Sequence, residues 1–431
     1  MRKYLNTISA FQFYQLVRYS TLILIGIVFT KTTLTQSEIG QYETFIFLAG
    51  AVSIFWLNGL LKALLPLKKQ NVSKTNIFNA FIVIQFLSVL AALFLFLLQP
   101  FFSKFLLNNN VIPEIKLLLL FIVFGIPANL VEYYYLIKKY NNAIILYGLI
   151  SFFIQFVLVV IPATLGYGIQ ISLKGLVLAS ILRYVWMWIV LITKAEIHFS
   201  GAFVREHLKL GGPLIIATFL SSSAQFVDGF IVTAKFSAET FAIFRYGARE
   251  LPLAMLLANA LSNAMLPEFT NRENLEPNLE KLKKSVSKLM HFLFPVTGVL
   301  LLISKPLFPL VFNPDFTKSA TIFNIYLLLI ISRLIMPQTI LNGLKMTKPI
   351  MMASFLELTI NVGLSLFFVN FWGITGIAFA TFIAYLFEKV YLSIVVYDKL
   401  KISVLKYIPL QTYILYSAGI IIIFVLSEML L

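Results

Sequence analysis

The sequence predicts an all-α polytopic membrane protein. Two parallel six-helix repeats are expected to form two lobes around a central cavity, with an extra C-terminal helix. Three observations carry that prediction. The chain has 431 residues, 60% of them hydrophobic and only 12% charged, with a mean hydropathy of +0.91. A soluble domain carries about 25% charged residues. Apolar stretches of bilayer-crossing length, about 20 residues each, follow one another without a long loop between them. Proline and glycine landmarks of the first half also recur in the second at a nearly constant offset.

In chain order the candidate spans are 11–32, 41–65, 77–99, 115–137, 142–163, 173–194, 208–234, 240–266, 287–312, 319–344, 348–371, 374–397 and 407–429. The opening MRKYLNTISAFQFYQ has no small-residue cleavage site behind a short apolar core. The first segment is therefore expected to stay as a membrane helix. Most lysines and arginines fall in alternate loops, at Arg2–Lys3, Lys68–Lys74, Lys138–Lys139, Lys194 with Arg205–Lys209, Lys281–Lys288, Lys345–Lys348 and Lys399–Lys406. The intervening loops hold isolated lysines such as Lys31, Lys104, Lys235 and Lys318. Basic residues mark cytoplasmic loops, which puts the N-terminus in the cytoplasm. Either 12 or 13 spans fit the sequence, and 13 would leave the C-terminus outside. The largest polar insert, 271–288, has the period of an amphipathic helix. It reads as a helix on the cytoplasmic surface touching anionic lipid or, more simply, as a solvated connector.

The same loop pattern accounts for the net charge of +16 without a nucleic-acid partner. The chain has no cysteine, which excludes a disulfide, a thiolate nucleophile and a cysteine metal site. His198, His207 and His291 are too scattered to form a metal centre. No cofactor is expected, although coupling to H+ or Na+ is.

The repeat rests on four pairs: Pro66 with Pro267, Pro100 with Pro306, Pro127 with Pro337, and Gly175 with Gly376. Their offsets run from 201 to 210 residues (376 − 175 and 337 − 127). An even number of helices per half makes both halves enter from the same side. Such parallel repeats place the binding site between the halves and work by rocking one against the other. The expected divisions are 1–200 for helices 1–6, 201–400 for helices 7–12, and 401–431 for the extra segment.

Polar groups inside these spans are the candidates for function, because a charge at a helix centre costs about 2.5–3.5 kcal/mol on insertion scales. The densest stretch is 210–267, with Gln225, Asp228, Arg245, Arg249, Glu250, Asn259 and Asn263. Asp228 and Arg245 lie toward the outer side of consecutive helices and read either as a structural pair or as site residues. Arg18 and Glu132 share a cytoplasmic depth and could pair, while Lys62 and Glu388 are expected to snorkel to the interface. Arg183, Arg249 and Arg333 fall near mid-membrane. An arginine there suits a phosphate or diphosphate, whose oxygens its planar fork matches. The candidate substrate-binding residues are thus Arg18, Arg183, Arg245, Arg249 and Arg333. Glu357 and Asn361 share one face, and with Asp228 they are the candidates for ion coupling. Pro127, Pro252, Pro295 and Pro337 are expected to interrupt helices.

Three stretches resemble the polysaccharide transporters of the multidrug/oligosaccharidyl-lipid/polysaccharide exporter superfamily. LGGPLIIATFLSSSAQFVDGFIV resembles the start of their second half, with Gly212, Pro213 and Asp228 at matching places. Leu34–Tyr42 is similar to their link between helices 1 and 2, and Gly373–Thr381 to the start of helix 12. The resemblance implies a flippase of the bacterial inner membrane. Its substrate would be an undecaprenyl-pyrophosphate-linked oligosaccharide of the O-antigen or capsule type. Membrane lipids and other polysaccharide assembly proteins would be its partners. Two lobes around a cationic cavity are implied as well. The thirteenth segment departs from a twelve-helix pattern, and the intramembrane acids nearly balance the bases. An ion-coupled multidrug or cation antiporter of the same superfamily is the alternative. It would carry acids deep in the first half, where Glu43 and Glu132 lie toward helix ends. A membrane glycan polymerase or ligase would need an extended loop that this sequence lacks.

Overall fold

The computed structural model describes residues 7–67, 74–108, 111–248, 252–266, 268–270 and 274–430. Among these the secondary structure is helical, with no strand. The chain runs through α1 (Thr7–Phe29), α2 (Gln36–Leu67), α3 (Lys74–Leu97), an interrupted α4 (Ile115–Lys138), α5 (Asn141–Thr164) and α6 (Gly168–Lys194). Next come α7 (Gly201–Lys235), α8 (Ala238–Gly247), α9 (Pro252–Met265) and α10 (Leu275–Val311). The last are α11 (Pro314–Arg333), α12 (Pro337–Gly343), α13 (347–372), α14 (374–400) and α15 (Leu410–Leu430). Among the described residues, 10 helices are long and apolar enough to cross a membrane. Thr347–Leu400 counts once among them, although Gly373, at φ 58°, divides it into α13 and α14.

This is a multi-pass helical membrane protein. Its outer surfaces carry the large apolar residues that lipid requires, such as Phe153, Phe371, Leu415 and Ile422. Pro127 and Pro337 act as expected, each beginning a new helical piece, whereas Pro295 sits inside an unbroken α10; Pro252 follows residues outside the described set. One predicted loop is helix, and the helical period read at 271–288 corresponds to a helix. Arg205–Lys209 lies in the first turns of α7. Most of the 271–288 insert forms the start of α10, burying Asn278, Leu279, Leu282 and Val286. Its lysines are met by protein: Lys281 pairs with Glu268 at 2.6 Å, and Lys283 Nζ donates to the Leu405 carbonyl at 2.7 Å. The amphipathic period therefore records docking on protein rather than a helix lying flat on lipid.

The chain folds as two compact units. The first comprises Met1–Ser222 with Thr233–Ala242, the second Ser223–Val232 with Ile243–Leu431. In the first unit, α1 and α6 flank α5, and the middle of α4 packs on α6. In the second, α15 lies along α10 and α11 packs against the α13–α14 segment. A buried polar cluster fixes α15. Glu428 Oε1 accepts from Asn324 Nδ2 at 2.8 Å, its Oε2 meets Lys305 at 3.1 Å, and Ser427 Oγ donates to the Leu301 carbonyl at 2.9 Å.

Two landmarks shared by the halves have the same physical role in each unit. Pro127 breaks α4, and Pro337 opens α12 after the break that ends α11. A Cβ on Gly175 would meet the Leu158 carbonyl oxygen at 2.0 Å, and one on Gly376 the Phe368 carbonyl oxygen at 2.5 Å. Both glycines let a helix approach a neighbouring backbone that no side chain would admit.

Candidate functional site

Each unit buries a polar cluster of its own. In the first unit it forms at the break in α4. Pro127 has no N–H to give the Val123 carbonyl, which accepts instead from Gln85 Nε2 of α3 at 3.2 Å, and the Asn129 side-chain amide donates to the carbonyls of Gly125 and Ile126 at 3.2 and 2.9 Å. That leaves Asn129 Oδ1 facing α6, where it accepts from Arg183 Nη2 at 3.2 Å. Arg183 is only 9% exposed, and its guanidinium lies 5.7 Å from the centroid of the Phe152 ring on α5. Glu132, 3% exposed, is one turn beyond Asn129, and Arg18 and Arg183 supply the positive charge it faces. Tyr14 of α1 and Tyr147 of α5 are stacked at 6.0 Å beside them. The break, the amide, the guanidinium and the carboxylate thus form one cluster. Arg18 itself is half-buried.

In the second unit five elements converge. Asp228 of α7, 2% exposed, accepts at Oδ2 from the Thr381 hydroxyl of α14 at 2.6 Å and from the Tyr326 hydroxyl of α11 at 2.8 Å. Asn361 Nδ2 on α13 donates to Thr381 Oγ1 at 3.1 Å, and Ser365 Oγ donates to Asn361 Oδ1 at 3.3 Å. One turn before Asn361 lies Glu357, 5% exposed. Its charge environment is Glu388, Lys389, Arg333 and Asp228. Lys389 pairs with Glu388 at 2.7 Å and donates to Gln338 Oε1 of α12 at 3.2 Å. Arg333 stacks 4.9 Å from the centroid of Tyr385. Asp228 Oδ1 and Glu357 Oε1 are buried without a hydrogen-bond partner among the described residues.

The structure therefore joins Asp228, Asn361 and Glu357 in one cluster, with Arg333 beside it. Arg245 is half-buried in the last turn of α8. Asn259 and Asn263 share an exposed face of α9. Arg249 and Glu250 lie outside the described residues, as does the Gln225 side chain. Lys62 is exposed, as a snorkelling residue should be, but Glu388 is not: it is buried against Lys389. Reasoning from sequence missed Thr381, Tyr326, Gln338, Lys389 and Asn129. An isolated threonine or tyrosine in an apolar helix carries no signal, because its hydroxyl is ordinarily satisfied locally. The adjacent acid and base at Glu388–Lys389 was the one legible clue.

Comparison with known proteins agrees with this architecture. Residues 33–321, more than half of the chain, match the model of a polysaccharide biosynthesis protein family, and the chain belongs to that family. The fold is that of the transporters of the multidrug/oligosaccharidyl-lipid/polysaccharide superfamily. A lipid II flippase MurJ, in an inward closed conformation, aligns with a TM-score of 0.74 at 20% identity, covering 97% of this chain and 93% of that one. An inward-facing multidrug-resistance MATE transporter aligns with a TM-score of 0.63 at 13% identity, covering 93% and 95%. A superfamily transporter from Pyrococcus furiosus, described as having a binding pocket of reversed polarity, gives 0.58 at 13% identity, covering 96% and 95%. No curated protein matches the chain.

Proposed function

We propose that this protein is a flippase. It carries a lipid-linked oligosaccharide, an undecaprenyl-pyrophosphate-linked O-antigen or capsule repeat unit, across the bacterial inner membrane by alternating access. The observation that carries this reading is membership of a polysaccharide biosynthesis family on a fold shared with a lipid II flippase. The chain moves its substrate and performs no chemistry on it. Its N-terminus and basic loops face the cytoplasm. The two halves, 1–200 and 201–400, are the moving parts, and 401–431 braces the second.

In this reading the arginines bind the diphosphate: Arg18 and Arg183 in the first unit, Arg245, Arg249 and Arg333 in the second. Asp228, Asn361 and Glu357 hold the coupling H+ or Na+. A buried acceptor without a donor is costly, and Asp228 Oδ1 and Glu357 Oε1 are two such acceptors in one cluster. A cation or proton that visits them would favour one state over another, which ion coupling requires. Those same carboxylates support the second reading, an ion-coupled multidrug or cation antiporter.

Deletion of the gene separates the two. The flippase reading expects lipid-linked oligosaccharide to accumulate on the cytoplasmic face while surface polysaccharide disappears. Normal polysaccharide with new drug sensitivity would favour the antiporter. Topology is checked by single-cysteine labelling, since the chain has no native thiol. An impermeant reagent that labels position 139 or 283 in intact spheroplasts would reverse the orientation.

A further inference from the structure

We infer that the first unit carries a saccharide-binding cavity, apart from the two buried clusters, that takes the sugar end of the lipid-linked oligosaccharide on the side opposite the basic loops. This inference rests on the flippase reading. The cavity has a volume of about 560 Å3 and is walled by residues from three stretches, 37–44, Leu107 with 111–114, and 233–241. That size falls inside the range of about 300–1,000 Å3 usual for small-molecule sites. All three stretches belong to the first unit and adjoin the loops with isolated lysines, Lys31, Lys104 and Lys235.

The lining chemistry selects the ligand class. It combines two carboxylates, Glu114 and Glu239, with the hydroxyls of Ser37 and Ser237, the amide of Gln41 and the half-exposed ring of Phe236. No lysine or arginine lies among the lining residues. A phosphate or diphosphate would meet two carboxylates here and no cationic side chain among the lining residues. A sugar presents hydroxyl donors that carboxylate and amide oxygens accept, and an apolar C–H face that an aromatic ring can cover. The carboxylates are held ready. Glu114 Oε1 accepts from Gln170 Nε2 at 3.0 Å, which fixes the side chain with its other oxygen still available to a ligand. Glu114 also takes a left-handed backbone, φ 44° and ψ 51°, which asparagine, aspartate or glycine adopts more readily. Hydrogen bonds from Ser237, the Glu239 backbone N–H and Ser37 hold the Glu239 carboxyl below its usual range, so it is a charged acceptor at neutral pH.

The test uses the full chain with one introduced cysteine at the cavity rim. Val111→Cys is the first reporter, on a residue 73% exposed, and Lys235→Cys is the second should the first fail to fold. The probe is the glycan released by mild acid from the lipid-linked oligosaccharide that accumulates in the deletion strain. If none accumulates, the flippase reading itself falls. If it accumulates, the glycan should slow maleimide labelling at position 111 or 235 in a dose-dependent way. Glu114→Gln and Glu239→Gln should each raise the half-protective concentration about tenfold or more, since hydrogen bonds to a charged group are worth about 1.5–3 kcal/mol. Three outcomes overturn the cavity assignment while leaving the flippase reading standing. They are no protection in a chain that complements the deletion, protection unchanged in both glutamine variants, and equal protection by calcium chloride alone.

Discussion

The two units bury charge in different ways. In the first, one guanidinium is held by an amide and set among aromatic rings, with Glu132 as the nearby acid. Three atoms are left over, the Tyr14 hydroxyl, Arg183 Nε and Glu132 Oε2, and the two charged groups among them are opposite in sign. In the second unit Asp228, Glu357 and Glu388 share their surroundings with Lys389 and Arg333, and both Asp228 and Glu357 keep an oxygen without a donor. A cluster whose leftover groups include donors as well as acceptors can compensate its own charge. A cluster with spare acceptors is suited to a guest. That difference supports the part of the proposed function in which Asp228, Asn361 and Glu357 hold the coupling cation.

The largest expected effect strikes the first cluster. Arg183→Ala removes the donor to Asn129 Oδ1 and one of the two positive charges near the buried Glu132, and should destabilise the protein by about 3 kcal/mol, the cost of leaving buried polar groups unsatisfied. Thermal unfolding in detergent reads this. Adding Glu132→Gln should restore much of the stability. If transport returns as well, Arg183 is structural and the anion assignment fails. Arg183→Lys keeps the charge but loses the planar fork, so a folded, inactive Arg183→Lys would sharpen the substrate role. Asp228→Ala comes next. It removes an acceptor used by two hydroxyls, and transport should fall about 100-fold, equivalent to about 2.7 kcal/mol. Retained transport would remove the second cluster from the mechanism.

Glu357→Gln is expected to act more selectively. Transport should lose its response to pH and sodium, with a rate drop of about tenfold, or about 1.4 kcal/mol. An unchanged ion response would exclude Glu357 as the coupling group. The smallest effect belongs to the exposed pair between Lys406 and Glu276. Glu276→Ala should change the melting free energy by less than about 1 kcal/mol, as exposed ion pairs generally do. A larger loss would show that the start of α10 depends on that loop more than its burial indicates.

The parts legible in the sequence were those written in long-range hydropathy and in rare residues. Apolar length marked the spans, and Pro127, Pro337, Gly175 and Gly376 marked breaks and close approaches that recur in each unit. Asp228, Asn361 and Glu357 stood out because charge and amide are scarce in apolar helices, and they do meet in one cluster. What was hidden is the partner set. Asn129 looks like a turn residue until its amide is seen capping the broken turn of α4. Thr381 and Tyr326 look like packing until both point at Asp228. The period at 271–288 left two readings open, a surface helix and a solvated connector, because an amphipathic period fits docking on protein as well as docking on lipid.

The account is tested most directly in proteoliposomes that contain the purified protein and lipid-linked oligosaccharide extracted from the deletion strain. Impermeant periodate oxidises only glycans on the outer leaflet. The account predicts that nearly the whole pool becomes accessible with the wild-type protein, and only the outer-leaflet share without it or with Asp228→Ala. An accessible fraction identical in empty liposomes and in liposomes holding active, folded protein would contradict it.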